Sequence, residues 1–254
     1  MGRARRSERE DLVNSINRYG LEIFWLVVNL EMGQGFINCT WDSASKAGKP
    51  DSRVSGTLSV IQAMAKGSSW TAVADVIQRF GARGAILDFD GWTSVMRSNL
   101  KGNWNNSYWF YTFPASGDGT TAFSPPTIQI PRHQGRNVIP ITVASGATSV
   151  TVSFTPDATG SKGTKESMQA QLVYRDSSDK PVYGDVFTSG QNTIQITNGV
   201  RNNLVDLVVA VVNPNGTSAG DDGSGKGFDA SETFNYKAQI ISGGTIAPKS
   251  TTPW

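Results

Sequence analysis

Residues 204–212 read LVDLVVAVV, a run that is apolar at nearly every position. A strand that is apolar on both faces needs cover on both, and it cannot lie at an open sheet edge without inviting pairing with other chains. We therefore predict a central strand with two flanking strands and an outer face that the helical half of the chain could cover. One face would carry Leu207, Val209 and Val211, and the other face Val208, Ala210 and Val212.

Short runs rich in β-branched residues fill the second half of the chain, with Gly, Asn, Asp and Pro between them. In one of these runs, the apolar residues Val150, Val152 and Phe154 alternate with polar ones, as expected for a half-buried strand. Strands at this spacing indicate an antiparallel sandwich. The predicted strands are 128–130, 138–143, 150–154, 168–174, 193–197, 204–212 and 233–241.

The first half of the chain, from residue 9 to about residue 100, has the apolar spacing of helices. Apolar residues of the first helix recur in alternating steps of four and three, which places them on one helix face. These residues are Leu12, Ile16, Tyr19, Ile23, Leu26 and Leu30. Ser68 or Ser69 would cap a fourth helix. Its inward side chains would be Trp70, Val73, Val76, Ile77 and Phe80.

These two patterns predict an α+β fold, in which a small helical bundle is followed by an antiparallel β-sandwich. The length of 254 residues suits one large domain or two small ones. The helical domain would span 1–101 and the β-sandwich 127–254. A connector over 102–126 would join them, because it is rich in aromatic residues and ends at the boundary signal Ser124-Pro125-Pro126.

The whole chain contains one histidine, His133, and one cysteine, Cys39. Histidine is the usual general base near neutral pH and the usual zinc ligand, so Ser-His-Asp, Cys-His and H-E-x-x-H sites all depend on it. No acidic residue lies within ten positions of His133, which favours an exposed loop histidine. The lone cysteine excludes an intrachain disulfide and reads as a buried, inert residue. Catalysis would have to rely on carboxylates, or on residues missing from this chain.

Charge and hydropathy give few hints of nucleic-acid or membrane binding. The formal net charge is +2, which implies no strong attraction to nucleic acid. The most apolar stretch, residues 21–30, is too short to span a bilayer and carries Glu22 and Asn29. No signal peptide is evident at the N-terminus. Abundant Gly, Ser, Thr and Asn with low charge is nevertheless typical of exported bacterial β proteins, so an exported parent would have lost its leader here.

One candidate site is the carboxylate pair Asp88 and Asp90, which would project from a loop before Trp92. Paired carboxylates can act as general acid and base, or they can bind a cation. Capping of the following helix is the simpler interpretation, and Asp90 is well placed for it. The pair alone does not specify a reaction.

A second candidate is a cation site around a loop rich in Gly and Ser, residues 213–230. Carboxylate oxygens on a flexible loop can bind calcium. The spacing lacks the EF-hand pattern and Lys226 sits inside it, so a hairpin loop without metal is the alternative. The candidate ligands are Asp221, Asp222, Asp229 and Glu232.

A third candidate is the densest aromatic cluster of the chain, which has asparagines beside it. Exposed aromatic rings with neighbouring amides could stack on the sugars of a polysaccharide or cell-surface ligand. The alternative is a plug in the core between the two domains, because aromatic residues dominate such packing. The candidate stacking residues are Trp104, Tyr108, Trp109 and Tyr111.

Short motifs in both halves of the chain carry a family resemblance. In the helical half they are Asn17-x-Tyr19-Gly20-x-x-Ile23-Phe24, Gly33, Gly35, Ile37, Trp41 and Gly67-Ser68-Ser69-Trp70. In the β half they are GRNVI at 135–139, VTVSF at 150–154, AQLVYR at 170–175 and VVAVVNP at 208–214. These motifs resemble segments of secreted bacterial zinc metallopeptidases of the gluzincin-like kind, including the Svx-type virulence and avirulence proteins of plant pathogens.

The resemblance implies a parent protein in which an H-E-x-x-H helix supplies the zinc ligands and the catalytic glutamate. This sequence contains no such motif, so no catalytic residue carries over. Zinc is then expected only in the full-length parent, which would be extracellular or periplasmic. The chain would be the C-terminal portion of such a peptidase, left by truncation, a split frame or decay.

The preferred functional interpretation is a non-catalytic part of that parent, in which helices buttress the missing catalytic helix and the β-sandwich is accessory. The alternative is a carbohydrate- or cell-surface-binding β-sandwich module that uses the aromatic cluster. A third interpretation is a carboxylate-dependent hydrolase centred on Asp88 and Asp90.

Overall fold

The computed structural model of the protein describes residues 70–95, 97–98, 111–114, 119–131, 135–157, 168–212 and 234–251. All of them lie within one compact unit, residues 51–254. The long helix of the described part is α1 (Trp70–Ile86), and 3-10 turns follow at Asp90–Trp92, Thr127–Gln129 and Arg201–Asn203. The strands are β1 (Ala122–Phe123), β2 (Arg136–Val143), β3 (Ser149–Asp157), β4 (Met168–Arg175), β5 (Pro181–Tyr183), β6 (Gly190–Gln195), β7 (Leu204–Val211), β8 (Asn235–Ser242) and β9 (Gly244–Ile246).

The strands form two antiparallel sheets. One sheet has the order β1-β8-β3-β6, and the other has the order β5-β4-β7-β2-β9. Strand β7 lies in the middle of the five-stranded sheet, where Leu207 is opposite Leu172 of β4 and Ile139 of β2. The prediction of a central strand with two flanking strands is confirmed.

One face of β7 fills the core that both sheets share. Leu207, Val209 and Val211 belong to the same buried cluster as Val152 and Phe154 of the four-stranded sheet. A buried hydrogen bond also joins the sheets, because the side-chain amide of Asn137 on β2 donates to the hydroxyl oxygen of Tyr236 on β8 at 2.9 Å. This hydrogen bond gives both buried polar groups a partner inside the protein, as buried polar groups require.

The other face of β7 is covered by α1. The helix presents small residues to the sheet, among them Ala82, which lies in a buried cluster with Val208. A Cβ added at Gly81 would come within 3.2 Å of Cγ1 of Val208, so the glycine allows the close approach. Gln78 donates from Nε2 to the carbonyl oxygen of Val208 at 3.0 Å. The predicted cover of the outer face is therefore confirmed.

Several elements differ from the expectations. The predicted strand 128–130 is wrong, since residues Thr127–Gln129 form a 3-10 turn. Pro125, Pro126 and Pro131 flank this segment, and proline has no N–H to donate to a ladder. Strands β1, β5 and β9 were not expected, because two or three residues are too few to show alternation.

The predicted helical bundle lies mostly outside the described residues. Its fourth helix is described from Trp70 onward, and Val76 and Ile77 are buried as expected. This helix, assigned to the domain 1–101, packs on the five-stranded sheet, while β1 of the connector 102–126 pairs with β8. Among the described residues, no helix is both long and apolar enough to cross a membrane.

Candidate functional site

The C-terminal end of α1 is held by Arg175, the last residue of β4. Its guanidinium donates from Nε to the carbonyl of Ile86 at 2.7 Å and from Nη2 to the carbonyl of Leu87 at 3.0 Å. The last carbonyls of a helix lack intrahelical partners, and the negative end of the helix dipole favours a cation there. Burial and then the positive charge of Arg97 lower the pKa of Arg175. Arg175 thus ties the helix to the sheet and lies next to a second arginine.

Asp88, just beyond this helix end, is a structural carboxylate. Its Oδ2 accepts hydrogen bonds from Nη1 of Arg83 at 3.0 Å and from the hydroxyl of Tyr183 on β5. Burial, followed by this bond to Asp88, raises the pKa of Tyr183. Asp90 is exposed, at the first position of a 3-10 turn, so the two carboxylates of the predicted pair have different surroundings.

Three arginines converge on Asp179, in the turn between β4 and β5. Arg97 donates to both carboxylate oxygens, at 2.6 and 3.2 Å, Arg201 donates to Oδ1, and Nη1 of Arg175 lies 3.7 Å from Oδ1. Burial alone would raise the pKa of Asp179, but the hydrogen bonds from Arg97 and Arg201 outweigh it and lower the pKa to about 2. Asp179 therefore stays ionised, and one carboxylate serves three cations.

The turns around this cluster fix its members in place. Asp176 accepts backbone hydrogen bonds from Ser178 and Lys180, both at 2.8 Å, which closes the β4–β5 turn that presents Asp179. The hydrogen bond from Asn198, then those backbone bonds, lower the pKa of Asp176. On the other side, Asn202 follows Arg201 with a φ of 55°, a left-handed conformation that asparagine tolerates better than most residues. Asp179 and Arg201 thus project from defined turns.

The same arginines border a small pocket beside the helix end. Its cavity volume is about 30 Å³. It is lined by Ala85, Ile86, Arg97, Arg175, Arg201, Asn202, Leu204 and Asp206. We call it the arginine pocket.

Asp206, on the outer face of β7, is the buried acid of the arginine pocket. Its residue is 5 % exposed, and its Oδ1 has no hydrogen-bond partner. Burial raises the pKa of Asp206 well above its usual range. Nε of Arg97 is also buried without a partner. The pocket therefore contains a buried carboxyl group with a raised pKa and an unused N–H group.

The electrostatic balance of the arginine pocket is positive. Arg97, Arg175 and Arg201 surround Asp179, and Arg175 also lies 3.9 Å from Asp88, which pairs with Arg83. Four arginines thus meet two carboxylates, and positive charge remains in excess even if Asp206 ionises. Guanidinium groups recognise oxyanions through paired, charge-assisted hydrogen bonds. The arrangement is suited to binding a small anion.

A larger groove has fewer polar side chains that could bind a ligand. It has a volume of about 320 Å³ and is lined by residues 143–147 together with Ile196, Gly199, Val200 and Asn203. None of these lining residues is charged, and most have small or apolar side chains. Because specificity comes from a few placed polar groups, the arginine pocket is the stronger candidate.

Most residues singled out in the sequence lie outside the described part of the chain. These are Cys39, Trp104, Tyr108, Trp109, His133, Asp221, Asp222, Asp229 and Glu232. Tyr111 is described and is 1 % exposed, with its ring edge-on to Phe113 at 6.0 Å, so it packs in the core. Within the described ranges, no three His, Cys, Asp or Glu side chains come together as metal ligands would.

The arginine pocket itself was not foreseen. Its sequence signal is Asp206, the one charged residue in the otherwise apolar run 204–212. An ionisable residue in a strand buried on both faces needs a special environment. That signal marks a polar site but does not name its partners.

Comparison of the sequence with models of known protein families found no match, and comparison with curated proteins found none. The resemblance to gluzincin-like metallopeptidases therefore rests on its short motifs. The function must be inferred from the site.

Proposed function

We propose that residues 51–254 form a non-catalytic binding module, which holds an anionic group of its ligand in the arginine pocket. The observation that carries this proposal is the convergence of Arg97, Arg175 and Arg201 on the single carboxylate of Asp179. The nitrogens of Arg175 are committed to backbone carbonyls, and Nη1 and Nη2 of Arg97 are committed to that carboxylate. Arg201 has spare donors, because the side chain is 39 % exposed and only its Nη1 bonds to Asp179.

The module would be an accessory part of an exported, metallopeptidase-like parent protein, with its zinc site elsewhere in that parent. Two features support an accessory role. Asp88 is occupied by Arg83 and Tyr183, which leaves the proposed Asp88–Asp90 hydrolase without a free carboxylate pair. Arg175 ties the end of the helix to the sheet beside the pocket, which suits a binding scaffold.

The natural ligand in this proposal is an acidic polysaccharide or another anionic cell-surface molecule. Such a ligand keeps the binding role of the carbohydrate alternative but replaces aromatic stacking with ion pairing. The burial of Tyr111 supports this change of mechanism, since a core ring cannot stack on a sugar. Calcium at the acidic loop 213–230 would be a separate property of that loop.

The test measures the binding of acetate, phosphate and sulfate to the full chain by calorimetry, at low ionic strength. We expect at least one oxyanion to bind, and Arg201→Gln to weaken that binding. Lys237→Gln is the matched control, because Lys237 is exposed on β8 of the other sheet. Equal affinities in the two variants, or chelator-sensitive casein hydrolysis that copurifies with stoichiometric zinc, would contradict the proposal.

A further inference from the structure

We propose that the group bound in the arginine pocket is a carboxylate, held by Arg201, by Nε of Arg97 and by the carboxyl group of Asp206. This inference rests on the proposed anion-binding function and adds the chemical class of the ligand. It assigns Asp206 a binding role, although that residue is an acid and the ligand is an anion.

The size of the cavity favours a carboxylate. A water molecule needs at least about 10–15 Å³ of such space, so a cavity of about 30 Å³ holds two waters at most. A planar carboxylate has two oxygens on one carbon and can enter with both oxygens first. A tetrahedral phosphate or sulfate carries four oxygens and fits a cavity of this volume less well.

The unused N–H of Arg97 requires an acceptor. Nε of Arg97 is a donor and cannot accept a hydrogen bond. A protonated carboxyl group also has one donor, which Asp206 can direct at a ligand oxygen. The free N–H of Arg97 and the surplus of cationic charge exclude a cation and favour a ligand group that only accepts, to which a protonated Asp206 adds a second donor. An ionised carboxylate is such a group.

Protonation of Asp206 is what makes an acid compatible with an anionic ligand. Burial raises the pKa of Asp206 well above its usual range, so the carboxyl keeps its proton where a free carboxylate ligand has lost its own. The charged groups that line the pocket with it are Arg97, Arg175 and Arg201. The other titratable group coupled to it is Tyr111, whose pKa is raised by burial and then by Asp206, so that hydroxyl stays neutral. Binding should weaken when the pH exceeds the pKa of Asp206, because two carboxylates would then repel.

The experiment compares acetate with phosphate on the full chain by calorimetry, in the wild type and in three variants. Asp206→Asn retains a donor at this position and should lose less acetate affinity than Asp206→Leu. Asp206→Leu removes the donor, and Arg201→Gln removes a charge. Each should weaken acetate binding by about tenfold or more, the usual effect of losing one hydrogen bond to a charged group. The wild type should bind acetate more tightly than phosphate.

Two results would overturn the carboxylate assignment and leave anion binding intact. One is tighter binding of phosphate than of acetate. The other is unchanged acetate affinity in Asp206→Leu while Arg201→Gln loses it. If the wild type bound none of the oxyanions, the proposed function would be overturned as well.

The wild-type chain gives a second measurement that needs no variant. Acetate affinity should be constant across mildly acidic pH and then fall as Asp206 ionises. Near-ultraviolet circular dichroism at each pH reports whether the fold is intact. An affinity that stays flat up to the pH at which the fold is lost would also overturn the role of Asp206.

Discussion

Nε of Arg175 donates a 2.7 Å hydrogen bond to the carbonyl oxygen of Ile86, so the last residue of β4 caps the last residue of α1. The two residues are 89 positions apart in the chain. This single side chain joins the helix end, the β4–β5 turn through the carbonyl of Asp179, and the arginine pocket. It makes the helix and the five-stranded sheet interdependent.

Replacing Arg175 with Met should destabilise the protein strongly. The change leaves two buried carbonyls, those of Ile86 and Leu87, without donors, and each such loss costs about 1–3 kcal/mol. Arg201→Met is the control, because its ion pair with Asp179 is partly exposed and worth about 0–1 kcal/mol. Urea unfolding should separate the two variants clearly. Equal unfolding free energies would show that Arg175 does not hold the helix.

Val209→Asp should unfold the domain or nearly do so. Val209 is 0 % exposed in the core between the sheets, and an unpaired buried carboxylate costs several kcal/mol, on the order of the total stability of a domain. The same substitution at Ser177, which is exposed in the turn after β4, should change the stability by less than about 0.5 kcal/mol. Thermal melts monitored by circular dichroism give the comparison. Similar melting temperatures for the two variants would contradict the central position of β7.

Tyr183→Phe should lower the stability by about 1–3 kcal/mol, because the buried carboxylate of Asp88 loses a hydrogen bond and keeps Arg83 as its remaining close partner. Asp88→Asn in the same background tests the cause. If the loss comes from an undersatisfied charge, removal of that charge should recover part of the stability. A double-mutant cycle by urea unfolding measures the coupling. A coupling free energy near zero would mean that the hydroxyl contributes nothing through Asp88.

The sequence predicts the long strands because the burial of each strand face is reflected in the apolar pattern of the strand's own residues. Val150, Val152 and Phe154 alternate with polar neighbours, since one face of β3 is buried. β7 is apolar at every position except Asp206, because α1 covers the face that would otherwise meet water. The edge strands β1 and β5 have too few residues to show either pattern. Their existence depends on neighbours that the sequence does not reveal.

The candidate site is less predictable because its members come from distant parts of the chain. Arg97 and Asp179 are 82 positions apart, and Arg201 is 22 positions further on. The pairing of β4 with β5 and β7 brings Asp179 and Arg201 together, and the chain that follows α1 adds Arg97. The sequence contains one sign of the site, an aspartate inside an apolar strand, and composition alone gives it no partner. The predicted Asp88–Asp90 pair shows the converse, since neighbours in sequence can have unrelated environments.

Asp206 and Asp179 should change the stability of the protein in opposite directions as the pH rises. Folding raises the pKa of Asp206, so the stability associated with its protonated form is complete below the unfolded pKa of about 3.9 and is lost as the pH rises toward the folded pKa. The free energy of unfolding of Asp206→Asn, relative to that of the wild type, should therefore rise by up to about 1.4 kcal/mol per pH unit across that interval. Folding lowers the pKa of Asp179 to about 2, so its contribution is present above about pH 3.9 and is lost as the pH falls through 2. Asp179→Asn should cost less than about 1 kcal/mol at neutral pH, because the side chain is 42 % exposed, and this cost should shrink as the pH falls toward 2. Urea unfolding of both variants from pH 2 to pH 8 checks the two signs. A stability difference between Asp206→Asn and the wild type that does not change with pH would show that Asp206 titrates normally in the folded protein.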